Sequence, residues 1–155
     1  MEGVYQTAEP LEGIKVYLFS PPGTYLGRLT VTDINGQVVF NLPDQEYKVR
    51  ADYLGQQFWS QVFQSQNTTV AISRGLADVH VHRSGNDVAG AKVYLFSESD
   101  SYLGWYQTTD ALGKTEFLLP DRWFKFRVDE GADQVWSPVM EIVPGEVNSV
   151  QVDLD

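Results

Sequence analysis

The sequence predicts an all-β protein: two tandem seven-stranded β-sandwiches, set end to end along 155 residues. Three observations predict it: a long internal repeat, period-2 alternation of apolar residues within each copy, and turn signals at short intervals. The repeat has a constant shift of 77 residues, from GIKVYLFS at Gly13–Ser20 to GAKVYLFS at Gly90–Ser97. The same shift carries Tyr25-Leu26-Gly27 onto Tyr102-Leu103-Gly104 and Thr32-Asp33 onto Thr109-Asp110. Phe40, Leu42, Pro43 and Asp44 return as Phe117, Leu119, Pro120 and Asp121. Lys48, Arg50 and Asp52 return as Lys125, Arg127 and Asp129, and Trp59-Ser60 as Trp136-Ser137. No gap is needed between Gly13 and Ser60, so the loop lengths repeat too. The boundary falls near Ser73–Leu76, giving domains 1–74 and 75–155.

In the first copy the strands are expected near 2–7, 13–20, 25–31, 37–42, 46–53, 57–63 and 67–73, and the second copy repeats them one shift later. Alternation on the second strand puts Ala91, Val93 and Leu95 inward and Lys92, Tyr94 and Phe96 outward. In the fifth, Phe124, Phe126 and Val128 are inward, opposite Lys125, Arg127 and Asp129. Asn35-Gly36, Pro43-Asp44 and Leu54-Gly55 punctuate the first copy, Leu112-Gly113, Pro120-Asp121 and Pro144-Gly145 the second. Asn-Gly is a hairpin signal because both residues tolerate positive φ. No stretch carries a helical period.

Composition narrows the function. The chain is 43% hydrophobic and 21% charged, within the range of globular domains. With 11 basic against 21 acidic residues it lacks the basic face a nucleic-acid partner requires. No apolar run reaches the length of a membrane span. The absence of Cys removes disulfides, thiolate metal sites and Cys nucleophiles. Met1–Thr7 shows neither the basic nor the apolar region of a signal peptide, which fits a cytosolic protein or a piece of a longer chain.

The runs G-x-K-V-Y-L-F, T-D-x-x-G-x-x-x-F-x-L-P and Y-K-V-R-A-D-Y-L-G resemble carboxypeptidase regulatory-like and Cna-B-type repeats, over most of both copies. The resemblance implies an Ig-like, transthyretin-like (prealbumin-like) sandwich. It also implies a non-catalytic stalk, spacer or adhesion module of a larger extracellular or cell-surface protein, with neighbouring repeats as partners and self-assembly as an option. One fold hosts many functions, so the function rests on the analogy. The alternative is a carbohydrate-binding module using exposed aromatics.

The sites follow from the residues. An enzyme is disfavoured: G-x-S-x-G, a phosphate-binding glycine loop and H-E-x-x-H are all absent. The only two histidines, His80 and His82, share a strand face with Asp78, a spacing that suits Zn²⁺ or Cu²⁺. The plainer reading is a solvent-facing edge strand with Val79 and Val81 in the core. Cna-B-type domains often carry a Lys–Asn isopeptide bond, for which Lys15 or Lys92 with Asn67 or Asn148 are the candidates. That chemistry needs a buried, neutral amine beside a carboxylate, and the alternation turns both Lys outward. Tyr17, Phe19, Tyr94 and Phe96, joined by Trp105 and Tyr106, form a candidate contact surface for a glycan or a surface protein. Packing against neighbouring side chains is the favoured account of the first four, and core burial that of Trp59 and Trp136.

Charge is unequal: net −2 through Gly75 and −8 from Leu76 onward. With seven antiparallel strands, the first and last run the same way, so the chain leaves each sandwich opposite to its entry. The linker Ser73-Arg74-Gly75 is too short to double back, at about 11 Å. On this reading Asp33 and Asp52 approach the junction from one side and Asp78, Glu98, Asp100 and Asp121 from the other. The favoured reading leaves these carboxylates in water as a solubilising surface beside a salt-insensitive hinge. Ca²⁺, which takes six to eight oxygens, is the expected ligand if they are bridged.

Each copy holds a full set of inward apolar residues, so residues 75–155 alone are expected to give a β-type far-UV circular dichroism spectrum. A random-coil spectrum would move the boundary, since a domain of this size is marginally stable.

Overall fold

The computed structural model describes residues 10–64 and 66–155. These contain β1 (Lys15–Phe19), β2 (Tyr25–Val31), β3 (Glu46–Tyr53), β4 (Gln56–Trp59), β5 (Phe63–Gln64), β6 (Arg74–Arg83) and β7 (Asn86–Asp87). They continue with β8 (Lys92–Ser97), β9 (Tyr102–Thr108), β10 (Lys114–Pro120), β11 (Trp123–Glu130), β12 (Asp133–Trp136), β13 (Met140–Glu141) and β14 (Val147–Asp153). The protein is all-β, and none of the described residues forms a helix long and apolar enough to cross a membrane. The described chain divides into two compact units, 10–72 and 73–155.

In the second unit one sheet has the order β12-β11-β8-β9, with β13 also on β11. The other has the order β10-β6-β14, with β7 on β6. All pairings are antiparallel except β6 with β14, the first and last long strands of the unit, which run parallel. Alternation decides what lies between the sheets. Ala77, Val79 and Val81 of β6, Val93 and Leu95 of β8, Phe117 and Leu119 of β10, and Phe124, Phe126 and Val128 of β11 are all fully buried. In the first unit the sheet order is β2-β1-β3-β4, with β5 on β3. Ile14, Val16, Leu18, Tyr47, Val49, Ala51, Phe58 and Ile72 form its core, backed by Val38, Phe40 and Leu42.

The repeated motifs each have a structural cause. The Thr of Thr-Asp, just after β2 or β9, clamps the chain entering β1 or β8. Ile14 N–H donates to Thr32 Oγ1 (2.9 Å), which donates to Leu11 O, and Ala91 N–H, Thr109 Oγ1 and Val88 O repeat the arrangement. The Asp then closes the turn. Asp33 Oδ1 accepts from Asn35 and Gln37 N–H, and Asp110 Oδ1 from Leu112 and Lys114 N–H. The backbone N–H donors of Lys114 and Leu112 hold the Asp110 carboxyl below the usual carboxylate range. The Tyr-Leu-Gly motif marks a bulge, where Gly27 (φ 76°) and Gly104 (φ 79°) sit beside register shifts between Tyr17 and Phe19 and between Tyr94 and Phe96.

Several strand expectations are corrected. The sixth strand, expected as one run at 57–63 and 134–140, is broken in two. At each break a Ser hydroxyl enters the ladder: Ser60 Oγ accepts from Val49 N–H and donates to Gln61 O, and Ser137 does the same between Phe126 and Pro138. The supposed linker Arg74-Gly75 is the buried start of β6, so the strand expected from 79 begins at 74. A side chain at Gly75 would bring Cβ within 2.4 Å of the Val143 carbonyl. Pro144 and Gly145 turn the chain, delaying the last strand to β14. Among the described residues, 37–42 and 67–72 pair with no other strand. In the second unit their counterparts β10 and β14 both pair with β6, whose counterpart is the expected strand 2–7, outside the described residues.

Val93 and Val16 are buried, while Lys92 and Lys15 are exposed. Val93→Ala is expected to cost about 1–3 kcal/mol in urea denaturation, through lost burial and a cavity. Lys92→Ala should stay within about 0.5 kcal/mol of the parent chain.

Candidate functional site

The outer face of each main sheet carries an ordered aromatic and cationic layer. Its positions follow from register. Tyr17 of β1 stands opposite Arg50 of β3, which stands opposite Trp59 of β4; Phe19 stands opposite Lys48 and Lys15 opposite Asp52. Tyr94, Arg127, Trp136, Phe96, Lys125, Lys92 and Asp129 reproduce the grid in the second unit. The Arg50 guanidinium lies 4.7 Å from the Tyr17 ring centre, 5.3 Å from Phe19 and 5.9 Å from Trp59. It also forks into Asp52 at 2.8 and 3.1 Å. Arg127 lies 4.9, 5.3 and 5.9 Å from Tyr94, Phe96 and Trp136, and forks into Asp129 at 3.0 and 3.1 Å. A planar guanidinium can do both at once, stacking its face on rings while its edge donates to a carboxylate.

This layer reverses one expectation. Trp59 and Trp136 are not core residues; they are 44% and 42% exposed. They face outward because the residues beside them, Phe58 (buried) and Val135 (half-buried), take the inward positions. Each Trp covers the Phe on its own sheet, at 4.7 Å between ring centres, so Phe19 and Phe96 are only 7% exposed although they point outward. Lys48 and Lys125 cap the Trp rings at 4.8 and 4.7 Å. Tyr17 and Tyr94 are half-buried, and Tyr106, 50% exposed, stacks on Tyr94 at 5.2 Å. Trp105 lies on the opposite face of β9, against the buried Phe117 at 4.9 Å.

Four of the six acidic residues read as calcium ligands have partners within their own units. Asp52 is paired with Arg50, Asp121 with Arg122 (2.8 Å), and Asp100 with Lys125. Asp33 is engaged by two backbone amides, and Glu98 is exposed. Asp78 is half-buried on β6, one of its carboxylate oxygens out of contact with solvent and with no hydrogen bond. The Asn148 side chain is engaged by backbone groups. Its amide donates to Leu76, Glu146 and Val143 carbonyls, and its Oδ1 accepts from Val143 N–H.

His80 and His82 occupy one face of β6, which is an inner strand between β10 and β14 and not a sheet edge. The carboxylate beside them is Asp87 of β7, not Asp78. One ligand atom each from His80, His82 and Asp87 fall within 4.8 Å of one another. Asp87 was missed because β7 was not foreseen, although Ser84-Gly85 ahead of it is a turn signal.

No family model matches the sequence, and no curated protein matches it. Among solved structures the chain is similar to the minor pilin GBS52 of Streptococcus agalactiae, with TM-score 0.52 and 16% identity over 93% of this chain and 83% of that one. It is also similar to the Bacillus anthracis TIE protein (TM-score 0.46, 16% identity, 94% of this chain), spanning only 31% of that protein's length. A third similarity is to the shaft pilin SpaA of Lactobacillus rhamnosus GG (TM-score 0.38, 10% identity, 95% and 89%). At 16% identity the likeness to the minor pilin is one of fold alone, an all-β architecture of antiparallel sheets.

A double-mutant cycle with Arg127→Met and Tyr94→Leu measures the layer. The expected coupling is about 0.5–1 kcal/mol for a partly exposed cation–ring pair. Strict additivity would show that the two groups are neighbours without interaction.

Proposed function

We propose that this chain is a non-catalytic structural segment of a cell-surface protein, a stalk, spacer or adhesion module that works beside neighbouring repeats or other subunits. The fold shared with a minor pilin is the observation that carries the reading. The internal repeat supports it, because the same motifs and outward residues recur 77 residues apart. Those residues are engaged with one another: the rings that would stack on a sugar are covered by Arg50, Lys48, Arg127 and Lys125. A module whose outer rings are engaged by its own cations suits load-bearing better than ligand capture.

Antibodies raised against the purified chain are expected to label intact cells of the source organism as strongly as permeabilised ones. Labelling that requires permeabilisation would overturn the surface assignment. The purified chain should be blank on a glycan array; saturable binding lost in Tyr106→Ala would favour the carbohydrate-binding reading instead.

A further inference from the structure

The 77-residue shift leaves His80, His82 and Asp87 without counterparts. The first copy has Gly3, Tyr5 and Pro10 there, none with an imidazole or a carboxylate. The sandwich motif therefore does not require these three residues. A specific piece of backbone brings them together. Ser84 (φ 53°) and Gly85 (φ 79°) are both left-handed, as a two-residue type I′ hairpin turn demands. That turn pairs Arg83 with Asn86 and His82 with Asp87. Directly opposed residues share a face about 5 Å apart, and His80, two residues along β6, lies diagonally across from Asp87 on that face. Asp155 fixes the turn by accepting from Ser84 N–H at 2.9 and 2.7 Å. Arg83 ties its base to Asp133 (2.7 Å) and Glu130 (3.1 Å).

Side-chain positions then converge. Asp87 Oδ1 lies 2.9 Å from His80 Nε2 and 3.5 Å from His82 Nε2, and the two imidazole centres are 3.9 Å apart. A tetrahedral Zn²⁺ with bonds near 2.0–2.1 Å places its ligand atoms about 3.3 Å from one another. The two observed edges straddle that value. The other nitrogen of His82, Nδ1, is buried and makes no hydrogen bond, yet Asp153 Oδ1, in parallel register with His82 on β14, is 3.8 Å away. A metal-bound histidine commonly donates its second N–H to a carboxylate, and Asp153 stands where that acceptor is needed. Side-chain exposure rises from His82 (14%) through His80 (27%) to Asp87 (42%), so the cluster is anchored on one side and open to solvent on the other.

We propose that His80, His82 and Asp87 form a divalent transition-metal site, with Zn²⁺ as its ion. The two imidazole nitrogens and one carboxylate oxygen supply three ligands, and the solvent side leaves the fourth position to water. Two nitrogen donors select against Ca²⁺ and Mg²⁺, which prefer oxygen. The site joins β6 to the β7 hairpin, so an ion there would tie the hairpin to the sheet.

The test uses the full chain, free of any affinity tag and stripped of metal, titrated with Zn²⁺ against a chromogenic chelator. The expected result is one Zn²⁺ per chain. His82→Gln and Asp87→Asn should each weaken binding at least about tenfold, and the double variant His80→Gln/His82→Gln should abolish it. Circular dichroism of each variant checks its fold; should His82→Gln unfold, His80→Gln and Asp87→Asn, at more exposed positions, carry the comparison. Co²⁺ in place of Zn²⁺ should give the intense visible bands of a tetrahedral centre in the parent chain only. No stoichiometric binding by the parent, or equal affinity in the double variant, would overturn the site.

Discussion

Each unit depends on one inner strand that is fully used on both faces, β3 in the first and β11 in the second. One face of β11 supplies Phe124, Phe126 and Val128 to the core, all fully buried. The other supplies Lys125, Arg127 and Asp129 to the outer layer. The core positions set the register with β8, and that register delivers Tyr94 to Arg127 and Phe96 to Lys125. A slip of one residue would bury the cations and expose the phenylalanines, so the apolar and polar faces enforce the same alignment. The Ser137 hydroxyl, inserted at Phe126, ends β12 where Trp136 can fold down over Phe96.

Repetition of the outward residues has a structural explanation. Surface positions on a sandwich are ordinarily free to vary, yet Tyr17, Phe19, Lys48, Arg50, Asp52 and Trp59 all recur one shift later. Their cross-strand contacts make them a second, solvent-side layer of packing on the main sheet, with the guanidinium as its centre. Aromatic residues on a β-surface suggest a ligand platform only when their faces are free. Residues that break the repeat are then the more informative ones for chemistry peculiar to one unit. Within the described residues His80, His82 and Asp87 are such a group, gathered by a hairpin turn.

Much of the fold was legible in the sequence, because strand parity is a local property. The ranges 25–31 and 46–53, and their copies 102–108 and 123–130, are the strands β2, β3, β9 and β11 as observed. The turn positions and the inward sets of β8 and β11 were equally legible, since they need only period-2 alternation and positive-φ residues. The burial of individual outward aromatics was not. Alternation gives the side of the sheet but not what lies across it, so Phe19 and Phe96 read as outward rings packed on neighbours it does not name, and Trp59 and Trp136 as core. Cross-strand neighbours reversed the second reading.

By itself, then, the sequence determined the all-β class, the repeat and the inward and outward faces of β8 and β11. These follow from local backbone geometry, the same wherever the strand ends up. The tertiary structure decided which strands are neighbours: β6 as an inner strand, the parallel pairing of β14 with it, and the break of each sixth strand at a Ser. It also decided that Asp87, and not Asp78, meets His80 and His82. Asp78 shares their strand face, but side chains on one strand fan out side by side. Only a partner strand, turned back at Ser84-Gly85, aims a carboxylate at both imidazoles.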